Sequence, residues 1–123
     1  MKNTNLTAII LCGGKGLRLR PLTNDIPKPL IPINNSPMLG IIIDHLKSYE
    51  IKNFIITTGY KSEKIESFME TYSKTISYKT VNSGDTDILS RIKDAINLFD
   101  NDFILCYGDT ISDININNLI SFH

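Results

Sequence analysis

From Thr7 the chain runs Thr7-Ala8-Ile9-Ile10-Leu11, and near its other end Phe103-Ile104-Leu105-Cys106 is apolar at every position. Short unbroken apolar runs, without the alternation of a half-exposed strand, predict strands buried on both faces. With two further runs of strand length they give four predicted strands, at 6–11, 53–57, 76–80 and 102–107. Between them the apolar period changes to that of a helix. Leu39, Ile42, Ile43 and Leu46 share one stripe of a helix over 38–49; Ile65, Phe68 and Met69 share another over 62–71; Ile92, Ala95, Ile96 and Phe99 share a third over 90–99. A last helix begins after Ser112-Asp113, either of which can cap it, and carries Ile116, Leu119, Ile120 and Phe122.

Strands alternating with helices make βαβ units. The expected fold is therefore α/β, a Rossmann-like three-layer α/β/α arrangement with a mostly parallel sheet. Right-handed crossovers gather the strand C-termini on one edge, where ligands of open α/β sheets bind. The glycine-rich loop after Leu11 and the pair Gly108-Asp109 after Tyr107 both fall there. No repeat, low-complexity segment or linker divides the chain, and Pro32–Pro37 reads as a turn between elements, so residues 1–123 are expected to form a single domain.

Composition narrows the partners. Thirteen basic side chains balance thirteen acidic ones, which gives no general electrostatic case for nucleic acid or a membrane surface. No apolar run approaches the ~20 residues needed to span a bilayer. Cys12 and Cys106 each end an apolar run and read as small buried hydrophobes rather than a disulfide or metal set, and no charged-then-apolar leader opens the chain. The expected compartment is the cytoplasm.

The chemistry concentrates in Leu11-Cys12-Gly13-Gly14-Lys15-Gly16-Leu17-Arg18-Leu19-Arg20-Pro21-Leu22-Thr23, followed by Pro27-Lys28-Pro29. Glycines let backbone amides approach an anion, and Arg18 and Lys28 supply the fixed charge that a triphosphate needs. The loop is not a Walker A sequence, and Leu19 stands where the dinucleotide fingerprint wants glycine. Lys15 and Arg20 divide evenly between phosphate contact and solvated charge. Asp109 ends an apolar strand, where a carboxylate is costly unless something positive faces it. Mg²⁺ fits, because it takes one or two carboxylates with phosphate oxygens; the alternative is a carboxylate bonded to turn amides. Asp113 reads as a helix cap before a second ligand. His45 and His123 have no nearby partner for a triad or a metal site.

The long string resembles the motif L-A-G-G-x-G-T-R-L-x-P-L-T with P-K-P of the sugar-1-phosphate nucleotidyltransferases. Within that family, Phe54-Ile55-Ile56-Thr57-Thr58-Gly59-Tyr60-Lys61 and Tyr107-Gly108-Asp109-Thr110-Ile111-Ser112-Asp113-Ile114-Asn115 resemble the glucose-1-phosphate cytidylyltransferases. The resemblance implies in-line attack by a sugar 1-phosphate on the α-phosphorus of an NTP, with CTP favoured, Mg²⁺ as cofactor and pyrophosphate released. Arg18 would hold the β- and γ-phosphates and Lys28 the α-phosphate, as the catalytic pair. Leu11, Gly13, Gly14, Lys15, Gly16 and Gly108 would line the nucleotide, with Asp109 on the metal.

Asn82, Ser83 and Gly84 correspond to the place where the family reads base and sugar, although Asn-Ser-Gly is equally an ordinary turn. Arg91 resembles the arginine after the family's T-G-G element, with Leu89-Ser90 as a departure. Leu17 is a second departure, since the family usually offers a hydroxyl there. The resemblance covers nearly the whole chain but about the first half of the family's catalytic domain. A nucleotide-binding module without catalysis, or a subunit completed by another chain, is the alternative. An open sheet edge after the fourth strand leads to the expectation of a homo-oligomer.

Overall fold

The computed structural model describes residues 5–123. A parallel sheet of four strands carries the fold: β1 (Thr7–Leu11), β4 (Asn53–Thr58), β5 (Ser77–Asn82) and β6 (Phe103–Tyr107), in the order β5-β4-β1-β6. Leu11 lies level with Thr57 on one side and Tyr107 on the other, so all the strand ends come out on one edge. A two-residue hairpin, β2 (Pro32–Ile33) with β3 (Ser36–Pro37), occupies the predicted turn. Its corner residues Asn34 and Asn35 have φ of 50° and 69°, the left-handed region asparagine tolerates.

The helices are α1 (Met38–Lys47), α2 (Ser62–Met69), α3 (Ile88–Ile96) and α4 (Ile116–Phe122). One sheet face, built from Ala8, Ile10, Phe54 and Ile56, packs on α1, α2 and Ile116 of α4; Leu39, Ile43, Leu46, Ile65 and Met69 fill that layer. The opposite face, Ile9, Leu11 and Ile55, is covered by α3 through Ala95 and Ile92. This is the three-layer α/β/α arrangement that the alternation of periods predicts, with a thinner layer on the α3 side.

Three expectations need correction. β1 is buried on both faces, but β6 is not: Phe103, Leu105 and Tyr107 are 40, 42 and 51% exposed. They point to the α3 side, and α3 lies over β1 and β4. An unbroken apolar run therefore does not separate an inner strand from an edge strand whose second face is uncovered. Secondly, α3 starts two residues before the expected 90–99, because the Asp87 carboxylate accepts from the Ser90 amide at 2.7 Å and caps the first turn, and it ends at Ile96, which leaves Phe99 outside the helix. Thirdly, Asn115 caps α4 by accepting from the Asn118 amide at 3.1 Å, so neither Ser112 nor Asp113 does so.

The cap on α3 gives a pH-dependent contribution. The Ser90 amide and hydroxyl hold the Asp87 carboxyl below the ordinary aspartate range. A lowered folded-state pKa stabilises above the unfolded value, and the effect is lost as acid carries the pH down through the lowered one. Asp87→Ala is expected to lower the urea midpoint at neutral pH and to narrow its difference from wild type in acid.

Candidate functional site

Past Leu11 the ladder continues for one residue on each side: the Cys12 amide donates to the Thr57 carbonyl at 2.9 Å, and the Gly108 amide to the Leu11 carbonyl at 2.9 Å. The chain then rises into the loop 13–16 over the point where β4 leaves β1 on one side and β6 leaves it on the other. This is the topological switch point of the sheet, the crevice in which such folds bind ligands. A cavity of about 840 Å³ opens there, lined by Leu11, Gly13, Gly14, Arg18, Lys28 and Asp109 among others. Its size suits a nucleotide-sized ligand.

The loop is tied down by its carbonyls. Tyr60 donates its amide to the Gly13 carbonyl at 3.2 Å, and the Thr23 hydroxyl donates to the Gly16 carbonyl at 2.8 Å. The Tyr60 hydroxyl in turn donates to the Thr23 carbonyl at 2.6 Å. Among the described residues, none of the amides of Gly13, Gly14, Lys15 and Gly16 donates a hydrogen bond within the chain. A loop held by its Gly13 and Gly16 carbonyls, with its amides left free, is arranged to receive an anion or a ligand acceptor.

The glycines differ in what they do. A Cβ on Gly13 would overlap Nη1 of Arg91, whereas a Cβ on Gly14 would meet nothing within 4 Å. Gly13 is thus required by the protein's own packing, and Gly14 faces open space in the crevice.

Two clusters of charge flank β1. On the β6 side Lys28, in the turn Lys28–Leu30, sets its Nζ 2.8 Å from Oδ2 of Asp109, each side chain being about one-third exposed. On the β4–β5 side lies Arg91 from the first turn of α3, only 5% exposed. Its Nη2 donates to the carbonyls of Gly84 at 3.0 Å and Thr86 at 3.1 Å, and its Nε to that of Thr86 at 3.3 Å. Nη1 is buried without a partner, as is the hydroxyl of Thr57. Arg18, exposed in the turn Leu17–Leu19, lines the cavity and pairs with no acid among the described residues.

Other sequence-selected residues sit elsewhere. Lys15 does not line the cavity; it pairs at 3.2 Å with Asp85, clipping the glycine loop to the segment after β5. Asn82, Ser83 and Gly84 form the ordinary turn. The Asn82 side chain binds Ser62 Oγ and the Gly84 amide, and Ser83 donates to Asp94 at 2.8 Å, which leaves them off the cavity wall. Gly108 packs beneath it, where a Cβ would come within 2.6 Å of Cys12 Sγ. Burial pushes the Cys12 thiol well above its ordinary range, and the charge of Asp109 adds to this, so Cys12 is an inert packing group. His45 donates from Nε2 to the Ile114 carbonyl at 2.9 Å and pins the loop before α4, far from any triad.

The sequence reading missed Tyr60 and Thr23 as anchors of the loop, and Thr86, Ile88 and Leu89 as cavity wall. A signal was present for the last: Ile88 and Leu89 are apolar at a helix N-terminus, 47 and 78% exposed, with no core to enter. Among the described residues no group of three or more His, Cys, Asp or Glu side chains is gathered as a metal cluster, and no helix is long and apolar enough to cross a membrane.

Comparison with known proteins bears on this arrangement. The sequence model of the nucleotidyl transferase family matches residues 7–123. A Bacillus subtilis protein named "Probable glucose-1-phosphate cytidylyltransferase" is 36% identical over 96% of the chain and 56% of its own length. The D-glycero-alpha-D-manno-heptose 1-phosphate guanylyltransferase of Campylobacter jejuni is also 36% identical, over 93% of the chain and 52% of its own. The solved structure of HddC from Yersinia pseudotuberculosis superposes with a TM-score of 0.82 at 25% identity, over 95% of this chain and 53% of that one. The chain spans about half the length of the relatives it matches.

Proposed function

The chain belongs to the nucleotidyl transferase family, and from that premise we propose that it holds an NTP, CTP favoured, at the β1 loop for transfer to a sugar 1-phosphate. The observation that carries this reading is the union, at one strand end, of free loop amides with Arg18 and the Lys28–Asp109 pair. The choice of CTP rests on the resemblance of residues 54–61 and 107–115 to cytidylyltransferases and on the name of the Bacillus subtilis relative.

In the proposed reaction a phosphate oxygen of the sugar 1-phosphate attacks the α-phosphorus from the side opposite the leaving group. The bond from the α-phosphorus to its bridging oxygen breaks, and pyrophosphate leaves with the electron pair. The loop amides orient the triphosphate, Arg18 meets charge on the departing pyrophosphate, and Lys28 turns from Asp109 to the α-phosphate, where charge develops. Asp109 suits magnesium: it is a hard oxygen donor beside the phosphate-binding cations, and a single protein carboxylate suffices for an ion that also takes phosphate oxygens and water. When bound, magnesium would neutralise charge on the triphosphate oxygens. Leu17 brings no hydroxyl to the phosphates, and the Thr23 hydroxyl is spent on Gly16, so amides and cations carry the binding.

The test is pyrophosphate release with each of the four NTPs against a panel of sugar 1-phosphates in Mg²⁺. Turnover with one pair supports the reading. Nucleotide binding without turnover assigns a binding module instead, and neither signal overturns the site. The proposal includes self-association through the exposed face of β6, which sedimentation velocity checks as a concentration-dependent mass above 13.9 kDa.

A further inference from the structure

The segment that carries Arg18 and Lys28 has no α-helix or strand to hold it. It forms three single turns, at Leu17–Leu19, Leu22–Asn24 and Lys28–Leu30, whose backbone bonds reach only three residues back. Short turns of this kind do not fix their own direction against a sheet. Lys28 is steadied from the β6 side by Asp109. Arg18 has no acidic partner among the described residues, so its place depends on what holds residues 16–23.

That hold comes from β4. Two residues past the strand, Tyr60 donates its amide to the Gly13 carbonyl at 3.2 Å and its hydroxyl to the Thr23 carbonyl at 2.6 Å. The Thr23 hydroxyl donates onward to the Gly16 carbonyl at 2.8 Å, which closes residues 16–23 into a loop on which Arg18 rides. Thr23 is 1% exposed, and a Cβ on Gly16 would come within 2.8 Å of its methyl and 3.2 Å of Lys28 Cβ, so the junction is packed as well as bonded. One rigid ring thus spans from the first residue of the glycine loop to the turn behind its last. The backbone bends sharply just after it at Lys61, with φ of 52°, and Nζ of Lys61 lies 5.3 Å from the ring centroid. Tyr60 itself does not line the cavity. Any effect on a ligand must pass through Thr23 and the loop.

Resting on the nucleotide reading above, we propose that Tyr60 is a positioning residue for phosphate binding: its hydroxyl, through Thr23, fixes the loop 16–23 and so aims the Arg18 guanidinium at the phosphates that leave as pyrophosphate. A displacement on the order of 1 Å at such a group is enough to cost much of its effect. Tyr60→Phe keeps the ring and the amide bond to Gly13, so it removes the hydroxyl alone.

The experiment is calorimetric binding of pyrophosphate with Mg²⁺ to wild type, Tyr60→Phe, Arg18→Met and the double variant. Tyr60→Phe is expected to weaken pyrophosphate about 3- to 10-fold, the worth of one hydrogen bond, and Arg18→Met to weaken it more. The double variant should bind no more weakly than Arg18→Met, because the hydroxyl acts only through that guanidinium. Thr23→Val, which breaks the next link, should reproduce the Tyr60→Phe loss, and it carries the test if Tyr60→Phe does not fold. Asn115→Ala lowers stability at the α4 cap instead and should leave pyrophosphate affinity at the wild-type value. Wild-type affinity in Tyr60→Phe overturns the assignment. So do additive losses in the double variant, or an equal loss in Asn115→Ala, since Tyr60 would then act by packing or general stability. If wild type binds neither pyrophosphate nor any NTP, the nucleotide reading itself falls and takes this one with it.

Discussion

Lys28→Met is expected to lower nucleotidyl transfer by about 10²–10³-fold, the usual cost of removing one preorganised charge from a developing oxyanion. The same variant should bind Mn²⁺, as a probe for magnesium, about two- to fivefold more tightly in the absence of nucleotide. The opposite signs come from one contact. In the free protein Nζ of Lys28 sits 2.8 Å from Oδ2 of Asp109, so each neutralises the other, and a cation approaching Asp109 meets lysine first. On the proposed reading, an incoming metal–triphosphate would offer both an exchange, the metal for the carboxylate and phosphate for the lysine. Both side chains are about one-third exposed, so solvent screening keeps the metal effect small. Electron paramagnetic resonance of Mn²⁺ reads the binding. A rate loss with unchanged or weaker Mn²⁺ affinity would show that the pair does not guard the carboxylate.

Gly13→Ala and Gly14→Ala, adjacent and chemically identical changes, are expected to diverge. At Gly13 the new methyl overlaps Arg91 Nη1, so either the guanidinium or the loop must move. Overpacking of this kind costs about 1–3 kcal/mol, and the nucleotide is lost along with the loop geometry. At Gly14 the methyl enters open space, so stability should stay within about 0.5 kcal/mol of wild type. The methyl nonetheless occupies the surface on which the proposed nucleotide would lie, and a misplacement of this size costs about 10²-fold in binding or rate. Urea denaturation and calorimetry on the two proteins separate the effects. Equal loss of stability in both would mean that Gly14 is packed too, and undiminished binding in Gly14→Ala would remove the loop from the ligand surface.

The fold was legible because its signal is local. Period 2 or unbroken apolarity for strands and period 3.6 for helices place β1, β4, α1 and α2 nearly where they lie, and alternation of the two implies a parallel sheet. Contributions from outside a segment were not legible. The exposure of Phe103, Leu105 and Tyr107 depends on where α3 lies, and the start of α3 depends on one carboxylate at Asp87.

At the site the same division holds. Residues that a glycine loop and its following cations mark, Gly13, Gly14, Arg18 and Lys28, can be picked from their order in the chain. Asn82 and Ser83, chosen for their hydrogen-bonding groups, spend those groups on Ser62, Gly84 and Asp94; nothing in a tripeptide reveals such partners. Arg91 stood out in sequence only as a displaced match. Its burial against two glycines 78 and 32 positions away is a property of the assembled sheet.

The order β5-β4-β1-β6 has a consequence for how such a molecule can change over time. The Arg91 wall of the cavity hangs on β4, β5 and the start of α3, and the Lys28–Asp109 wall on β6 and the turn Lys28–Leu30. The loop after β1 is the one element shared by both. Substitutions in the segment 86–91 can therefore reshape one wall of the cavity without disturbing the charged end, and the converse holds for the segment after β6. Selection can act on the two walls as separate traits, each carried by its own stretch of chain.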